Sequence, residues 1–287
     1  MDLLRLLEAS LVLFGITSGV LGLLVGSFLN VVIYRLPIMI NRAWSRECSE
    51  LQGKPEPDNG SQPVYNLVIP ASSCPHCQRP IRAVENIPLI SYLMLRGRCA
   101  GCGTTIPRRY PSIELVTALL SAVVAMHYGF GREALAALLF TWALIPLFMI
   151  DFDHQILPDS ITLPLLWAGL LLSLFGVFVD SATSIIGAAA GYLSLWSIYH
   201  LFKLLTGKEG MGYGDFKLLG AIGAWVGWQQ LPVVILFSSV VGAAIGIGLI
   251  LLKGRDHNQP MPFGPYLAAA GWLTLLWGQD IISLYLR

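Results

Sequence analysis

The chain has 287 residues, of which 55% are hydrophobic and only 12% charged, with a net charge of +1 and a mean hydropathy of +0.67. Soluble domains carry roughly 25% charged residues, so this composition excludes a soluble enzyme, and its apolar content excludes disorder. An all-α polytopic membrane protein is expected, because no period-2 alternation punctuated by turns supports an outer-membrane barrel.

In chain order, apolar runs of the length a bilayer requires fall at about 9–33, 111–129, 132–150, 160–179, 183–205, 215–230, 231–252 and 263–286. These predict about eight spans. The fallback is seven, because the sixth is short and interrupted by Gly220, Gly223 and Gly227. The first run lacks a strong basic flank and a small-x-small cleavage site, so it reads as a retained helix rather than a signal peptide. Three parts follow: a first transmembrane helix (1–33), a polar insert (34–110) and a seven-helix membrane domain (111–287).

Lys and Arg set the expected orientation. With eight spans, fifteen basic residues fall on one side: Arg35, Arg42, Arg46, Lys54, Arg79, Arg82, Arg96, Arg98, Arg108, Arg109, Lys203, Lys208, Lys217, Lys253 and Arg255. Three fall on the other, at Arg5, Arg132 and Arg287. The positive-inside rule then places the insert in the cytoplasm.

Four of the five cysteines form two knuckles in the insert, Cys74-Pro-His-Cys77 and Cys99-Ala-Gly-Cys102. Each tight turn can aim two thiolates at one ion, and two such turns complete a tetrahedral four-sulfur site, so this spacing predicts zinc. The alternatives are two disulfides, which a cytoplasmic location disfavours, or four free thiols. His76 is a less favoured substitute ligand, and Cys48 has no partner. A closed four-thiolate site has no position for water, so the zinc would be structural and would staple a lobe over about 70–110 that has too few apolar residues for its own core.

Ionisable groups at membrane depth default to functional candidates. Asp151, Asp153 and Asp159 lie where the third span gives way to the fourth, and Asp215 lies where the sixth begins. Glu114 and Asp280 lie near helix ends. Asp151 and Asp215 share one end of the expected bundle. Two carboxylates from different helices around one water form an acid/base pair able to hydrolyse a peptide bond without a metal. Gly210, Gly212 and Gly214 would let the backbone bend and a peptide approach. Against this, Asp159 after Leu-Pro reads as an N-cap, Asp215 reads equally as a cap, and Asp151 or Asp153 as solvated loop acids. A transporter would use the same residue types, although no inverted repeat is evident.

Five ordered motifs nevertheless resemble the bacterial type IV prepilin peptidases, the bifunctional leader peptidase/N-methyltransferases. They are Gly26-Ser-Phe-Leu-Asn-Val-Val-Ile-Tyr-Arg-Leu-Pro37, the paired knuckles, Arg109-Tyr-Pro-Ser-Ile-Glu114, Asp151-Phe-Asp-His-Gln-Ile-Leu-Pro-Asp159 and Gly212-Tyr-Gly-Asp-Phe-Lys217. The last is similar to the Gly-x-Gly-Asp signature of membrane aspartyl proteases. The resemblance implies cleavage of prepilins or pseudopilins after a glycine at the cytoplasmic face of the inner membrane. It also implies N-methylation of the new terminus with S-adenosylmethionine. By the resemblance the catalytic pair is Asp151 and Asp215, with Asp153 the competing choice for the first, and the four cysteines are the metal ligands. The implied partners are prepilins with an apolar N-terminal helix, and membrane lipid; nucleic acid is not among them. A peptidase without methylation is the nearest rival, and the full cysteine insert speaks against it. The methyl-donor site is not legible: no strand precedes a Gly-x-Gly-x-x-Gly turn. Gly22 and Gly26 read equally as a helix-packing interface, and Glu114, Arg108 and Arg109 are open candidates for substrate or donor contact.

Overall fold

The computed structural model describes residues 3–53, 64–208, 210–253 and 261–285. Lys54, Arg255 and Arg287, counted in the charge asymmetry, lie outside the described residues. Within them the fold is helical, and the only β pairing is two isolated bridges. The chain divides into two compact units, Met1–Met126 and His127–Arg287.

The first unit opens with α1 (Leu3–Ala9) and α2 (Leu11–Leu51). Ser10 caps α2 by accepting from the Leu13 N–H. This helix runs well past the expected boundary at 33. After the apolar run the sequence holds helix formers such as Arg42, Ala43, Arg46, Glu47 and Glu50, with no glycine before Gly53, where a left-handed residue (φ 60°) follows the helix end. The start of the polar insert is therefore an extension of the first helix. After the short helix α3 (Ile90–Met94) comes α4 (Arg109–Tyr128), and α2 packs on it through small residues. A Cβ on Gly22 would meet Ser121 and Ala118, and one on Gly26 would meet the Glu114 backbone. Lipid supplies no hydrophobic drive between helices, so such close approach is what binds them. The packing reading of Gly22 and Gly26 holds.

The second unit contains α5 (Arg132–His154), α6 (Asp159–Ser173), α7 (Ser181–Thr206), α8 (Tyr213–Val226), α9 (Leu231–Lys253) and α10 (Gly264–Tyr285). Among the described residues six helices are long and apolar enough to cross a membrane by length and composition, two fewer than the eight spans expected. The fourth and sixth expected spans become α6 and α8, of 15 and 14 residues. At 1.5 Å per residue each reaches roughly 22 Å, short of a hydrocarbon core of about 30 Å.

The short α8 is almost wholly buried, packed against α7, α6 and α10. Its backbone nearly touches that of α7: a Cβ on Gly187 would collide with the Gly223 carbonyl, and one on Gly191 with the Leu219 carbonyl. Ser184 Oγ donates to the Ala224 carbonyl (2.6 Å) and Trp225 Nε1 to the Leu165 carbonyl (2.8 Å), tying α8 to α7 and α6. On α10, Trp272 Nε1 donates to Thr141 Oγ1 of α5 (2.9 Å). A Gly187→Val variant should lose about 1–3 kcal/mol or more by overpacking. Thermal unfolding in detergent checks this, and an unchanged midpoint would show that the α7–α8 contact relaxes freely.

Candidate active site and metal centre

Asp151 lies in the last turn of α5, and its carboxylate turns inward. It is 5% exposed, and Asp215 in the first turn of α8 is 6% exposed. Asp153, Asp159 and Asp280 are exposed. Burial therefore separates the first pair from the other aspartates, and Asp215 lies within electrostatic reach of the Asp151 charge.

The partner of Asp151 is the backbone of α10. Gly264, the first residue of that helix, donates its N–H to Asp151 Oδ2 at 3.0 Å. First-turn amides have no intrahelical acceptor and sit at the positive end of the helix dipole, so a carboxylate is their natural partner. Only glycine fits here, because a Cβ at 264 would fall 2.6 Å from Asp151 Oδ2. Leu157 connects the two acids' surroundings: its side chain packs against Gly214, the residue before Asp215, and against Gly264. Asp215 Oδ1 is buried with no hydrogen-bond partner among the described residues.

One expectation changes. Asp159 is not the cap of α6; Pro158 occupies that position. The Asp159 carboxylate instead receives Lys217 Nζ at 2.8 and 2.7 Å, linking the start of α6 to α8 two residues past Asp215. Being half exposed, the ion pair contributes no more than about 1 kcal/mol. The glycines before Asp215 are not bends in the left-handed region. Gly214 makes room for Leu157 and Gly210 for Phe202.

Sequence reasoning missed Gly264 and Leu157. Pro262-Phe-Gly-Pro265 marks a helix start, yet nothing in it points to an acid more than a hundred residues away.

In the other unit, the two knuckles repeat one geometry. The Cys74 N–H donates to the Arg79 carbonyl and the Cys99 N–H to the Thr104 carbonyl. The Gln78 and Gly103 N–H groups donate back to the Cys74 and Cys99 carbonyls. Gln78 (φ 57°) and Gly103 (φ 71°) take the same left-handed position in each turn. The bridges Ser73–Pro80 and Arg98–Thr105 close both at matching offsets.

All four sulfurs lie within 4.8 Å of one another, with Cys74–Cys102 at 3.9 Å and Cys77–Cys99 at 4.0 Å. A tetrahedron with metal–sulfur bonds of about 2.3 Å has edges of about 3.8 Å, so the cluster fits a zinc-sized ion. His76 and Cys48 are not members of it. Without a metal the thiols titrate unequally: the Thr104 hydroxyl and amide lower Cys102 to about 6. Cys77, although the Arg79 backbone amide lowers it, is pushed up to about 11 by desolvation and its sister thiols. A divalent cation removes that competition by holding every sulfur as thiolate. Arg79 pairs with Glu85 at 2.7 Å, fastening the first knuckle to the 3-10 turn Ala83–Asn86. Glu114, an open candidate for ligand contact, accepts the Leu89 N–H at 2.9 Å and so joins α4 to the head of α3.

A polytopic helical membrane protein with a four-cysteine cluster that could hold a metal ion is thus defined. Its bacterial peptidase A24 N-terminal domain is matched over residues 20–128, and the type IV leader peptidase family over 138–247. It is 60% identical over 265 residues to the prepilin leader peptidase/N-methyltransferase of Aeromonas hydrophila, covering 92% of this chain and 91% of that one. The protein so named from Stutzerimonas stutzeri is 56% identical over 274 residues (96% and 94%), and that from Pseudomonas aeruginosa 54% over 288 (100% and 98%). No solved structure matches the chain. The chain belongs to the type IV leader peptidase family.

Metal analysis of the purified protein should find about one tightly held divalent ion per chain, lost in Cys74→Ser/Cys99→Ser. A metal-free parent protein would contradict the cluster's assignment.

Proposed function

We propose that this protein cleaves the leader of type IV prepilins or pseudopilins after a glycine and then N-methylates the new terminus. Asp151 and Asp215 act as the catalytic pair. The observation that carries the catalytic assignment is the convergence of two buried acids, from α5 and α8, on one neighbourhood bounded by Leu157 and Gly264. The names of relatives covering almost the whole chain support the substrate class.

The hydrogen-bond asymmetry divides the labour. Asp151, with one oxygen steadied by the Gly264 N–H, takes a proton from the bound water as hydroxide adds to the glycine carbonyl carbon. Asp215, whose Oδ1 has no partner, gives its proton to the carbonyl oxygen. Collapse of the tetrahedral intermediate breaks the C–N bond; the proton on Asp151 passes to the leaving amine, and Asp215 recovers its own from the intermediate. Neither a covalent adduct nor a metal is required. In the second reaction the freed amine's lone pair takes the methyl group from the sulfonium of S-adenosylmethionine, the thioether leaves, and the amine sheds one proton.

The cysteine cluster holds structural zinc, whose part is to staple the insert. The functional organisation is the first helix, the insert over 34–110 and the seven helices α4–α10 over 111–287. The Lys/Arg asymmetry supports an inner-membrane orientation with insert and acids on the cytoplasmic side. A pilin's apolar N-terminal helix would lie in the bilayer against the bundle, its basic leader near the inner surface.

With detergent-purified enzyme and a prepilin peptide, Asp151→Asn and Asp215→Asn should each reduce cleavage about 10²–10⁴-fold or more while metal content is unchanged. Asp153→Asn should cleave normally. Cleavage retained in Asp151→Asn and lost in Asp153→Asn would move the first acid to 153. Gly264→Ala should lower kcat about 100-fold with little effect on KM, because it displaces the Asp151 carboxylate without touching the binding surface. Unchanged kcat would remove Gly264 from the apparatus.

A further inference from the structure

The Gly26–Pro37 motif holds one basic residue, Arg35, that neither proteolysis nor metal binding uses. Arg35 is 7% exposed, although it lies on a helix whose membrane-spanning part is otherwise apolar. Its Nη1 donates to the Asn66 carbonyl at 3.0 Å, and its guanidinium lies 5.8 Å from the centre of the Tyr65 ring. Seven residues along the same face of α2, Arg42 lies over the same ring at 4.3 Å. Two cations thus share one aromatic ring, and no carboxylate pairs with either among the described residues.

A carbonyl and a ring face hold a guanidinium in place, but they do not neutralise it. Burying an uncompensated charge is costly, and breaking a buried pair leaves that cost exposed. Arg35 has five N–H donors in a planar fork and spends one on Asn66, so the fork retains donors suited to bidentate contact with an oxyanion. Tyr65 and Asn66 are themselves fixed: the Asn66 side chain accepts from the Val68 and Ile69 N–H groups at 2.8 and 2.7 Å, and its own N–H donates to the Ile69 carbonyl. A closed local turn therefore presents the ring and the carbonyl to α2. An anchor for the insert would need only the Asn66 contact. It would not need a second arginine on the same ring.

We propose that Arg35 and Arg42, gathered at Tyr65, form a binding site for a carboxylate or phosphate group at the root of the insert. The proposal rests on the methyltransferase reading for one of its two sources. A carboxylate would come from the amino-acid moiety of the methyl donor, and a phosphate from an anionic lipid headgroup at the membrane surface. Both bring the same planar or tetrahedral oxyanion to the same fork.

The test uses the full-length, zinc-loaded protein in nanodiscs. S-adenosylhomocysteine, which keeps the donor's carboxylate, is titrated by calorimetry into discs of phosphatidylcholine alone. Lipid retained through purification is measured separately by mass spectrometry from membranes containing phosphatidylglycerol. If the carboxylate is the ligand, Arg35→Gln should weaken S-adenosylhomocysteine at least about tenfold, Arg35→Lys should recover part of that loss, and the decarboxylated analogue should bind parent and variant alike. If the phosphate is the ligand, the two proteins should bind S-adenosylhomocysteine equally, and Arg35→Gln should lose the retained phosphatidylglycerol. Arg42→Gln, an exposed position, should show the same change in weaker form and stands in if Arg35→Gln fails to fold. Peptide cleavage reports folding and is expected to be unchanged. Should the parent bind no S-adenosylhomocysteine, the methyltransferase reading fails and the lipid measurement alone decides the site. Unchanged donor-product affinity together with unchanged lipid retention in both variants overturns the proposal.

Discussion

The membrane unit depends on a 14-residue helix, α8, that is held by backbone contact rather than by side-chain bulk. Along α8 the glycine pair Gly187/Gly223, and Gly191 against Leu219, bring the main chains of α7 and α8 together. Trp225 and Ser184 fasten the far end of α8 by hydrogen bonds to carbonyls. In lipid, where apolar burial between helices gains little, such approach and such hydrogen bonds are the available adhesives. Fixing α8 fixes its first turn, and with it Asp215. The same principle acts on the other acid: the start of α10 can present a free N–H to Asp151 only because residue 264 has no side chain to stand between them.

Much of this was legible in the sequence, and the reasons for success and failure are physical. The cysteine cluster was readable because a C-x-x-C turn is local, so two copies declare themselves without any knowledge of the fold, and the structure shows two turns with matched hydrogen bonds. The order of the spans put Asp151 and Asp215 at one end of the expected bundle; that both are buried is seen only in the structure. The expected and observed counts differ at α6 and α8, which are as apolar as the longer helices but only 15 and 14 residues long, because apolarity alone does not mark where a helix ends. The end of α2 was misplaced because apolarity stops near residue 33, whereas helix propensity continues to Leu51. Asp159 looked like a cap because its local pattern suits one. A lysine distant in sequence claimed its carboxylate instead, as tertiary contacts override local preference. Gly264 was invisible for the same reason: its role exists only across the fold.

The polar insert and the membrane helices solve different problems with different materials. The insert lacks the apolar content to hold itself and relies on a metal-sized sulfur cluster, the Arg79–Glu85 pair and the Glu114 contact to Leu89. The membrane unit has no shortage of apolar surface and spends polar contacts sparingly, each at a point where two helices must hold a fixed register. The two buried acids, Asp151 and Asp215, both lie in the second unit. Arg35 and Arg42 gather at the Tyr65 ring, at the root of the polar insert.

The meeting of residues 151 and 215 is the claim on which the proteolytic reading stands, and a cross-link measures it without reference to activity. The double variant Asp151→Cys/Asp215→Cys, in membranes and with its metal cluster loaded, is treated with a short bifunctional thiol reagent, digested and analysed by mass spectrometry. The account predicts a linked peptide pair joining the end of α5 to the start of α8, absent from either single variant. If both introduced thiols react singly and no such pair forms, the two acids do not share a site and the catalytic assignment is wrong.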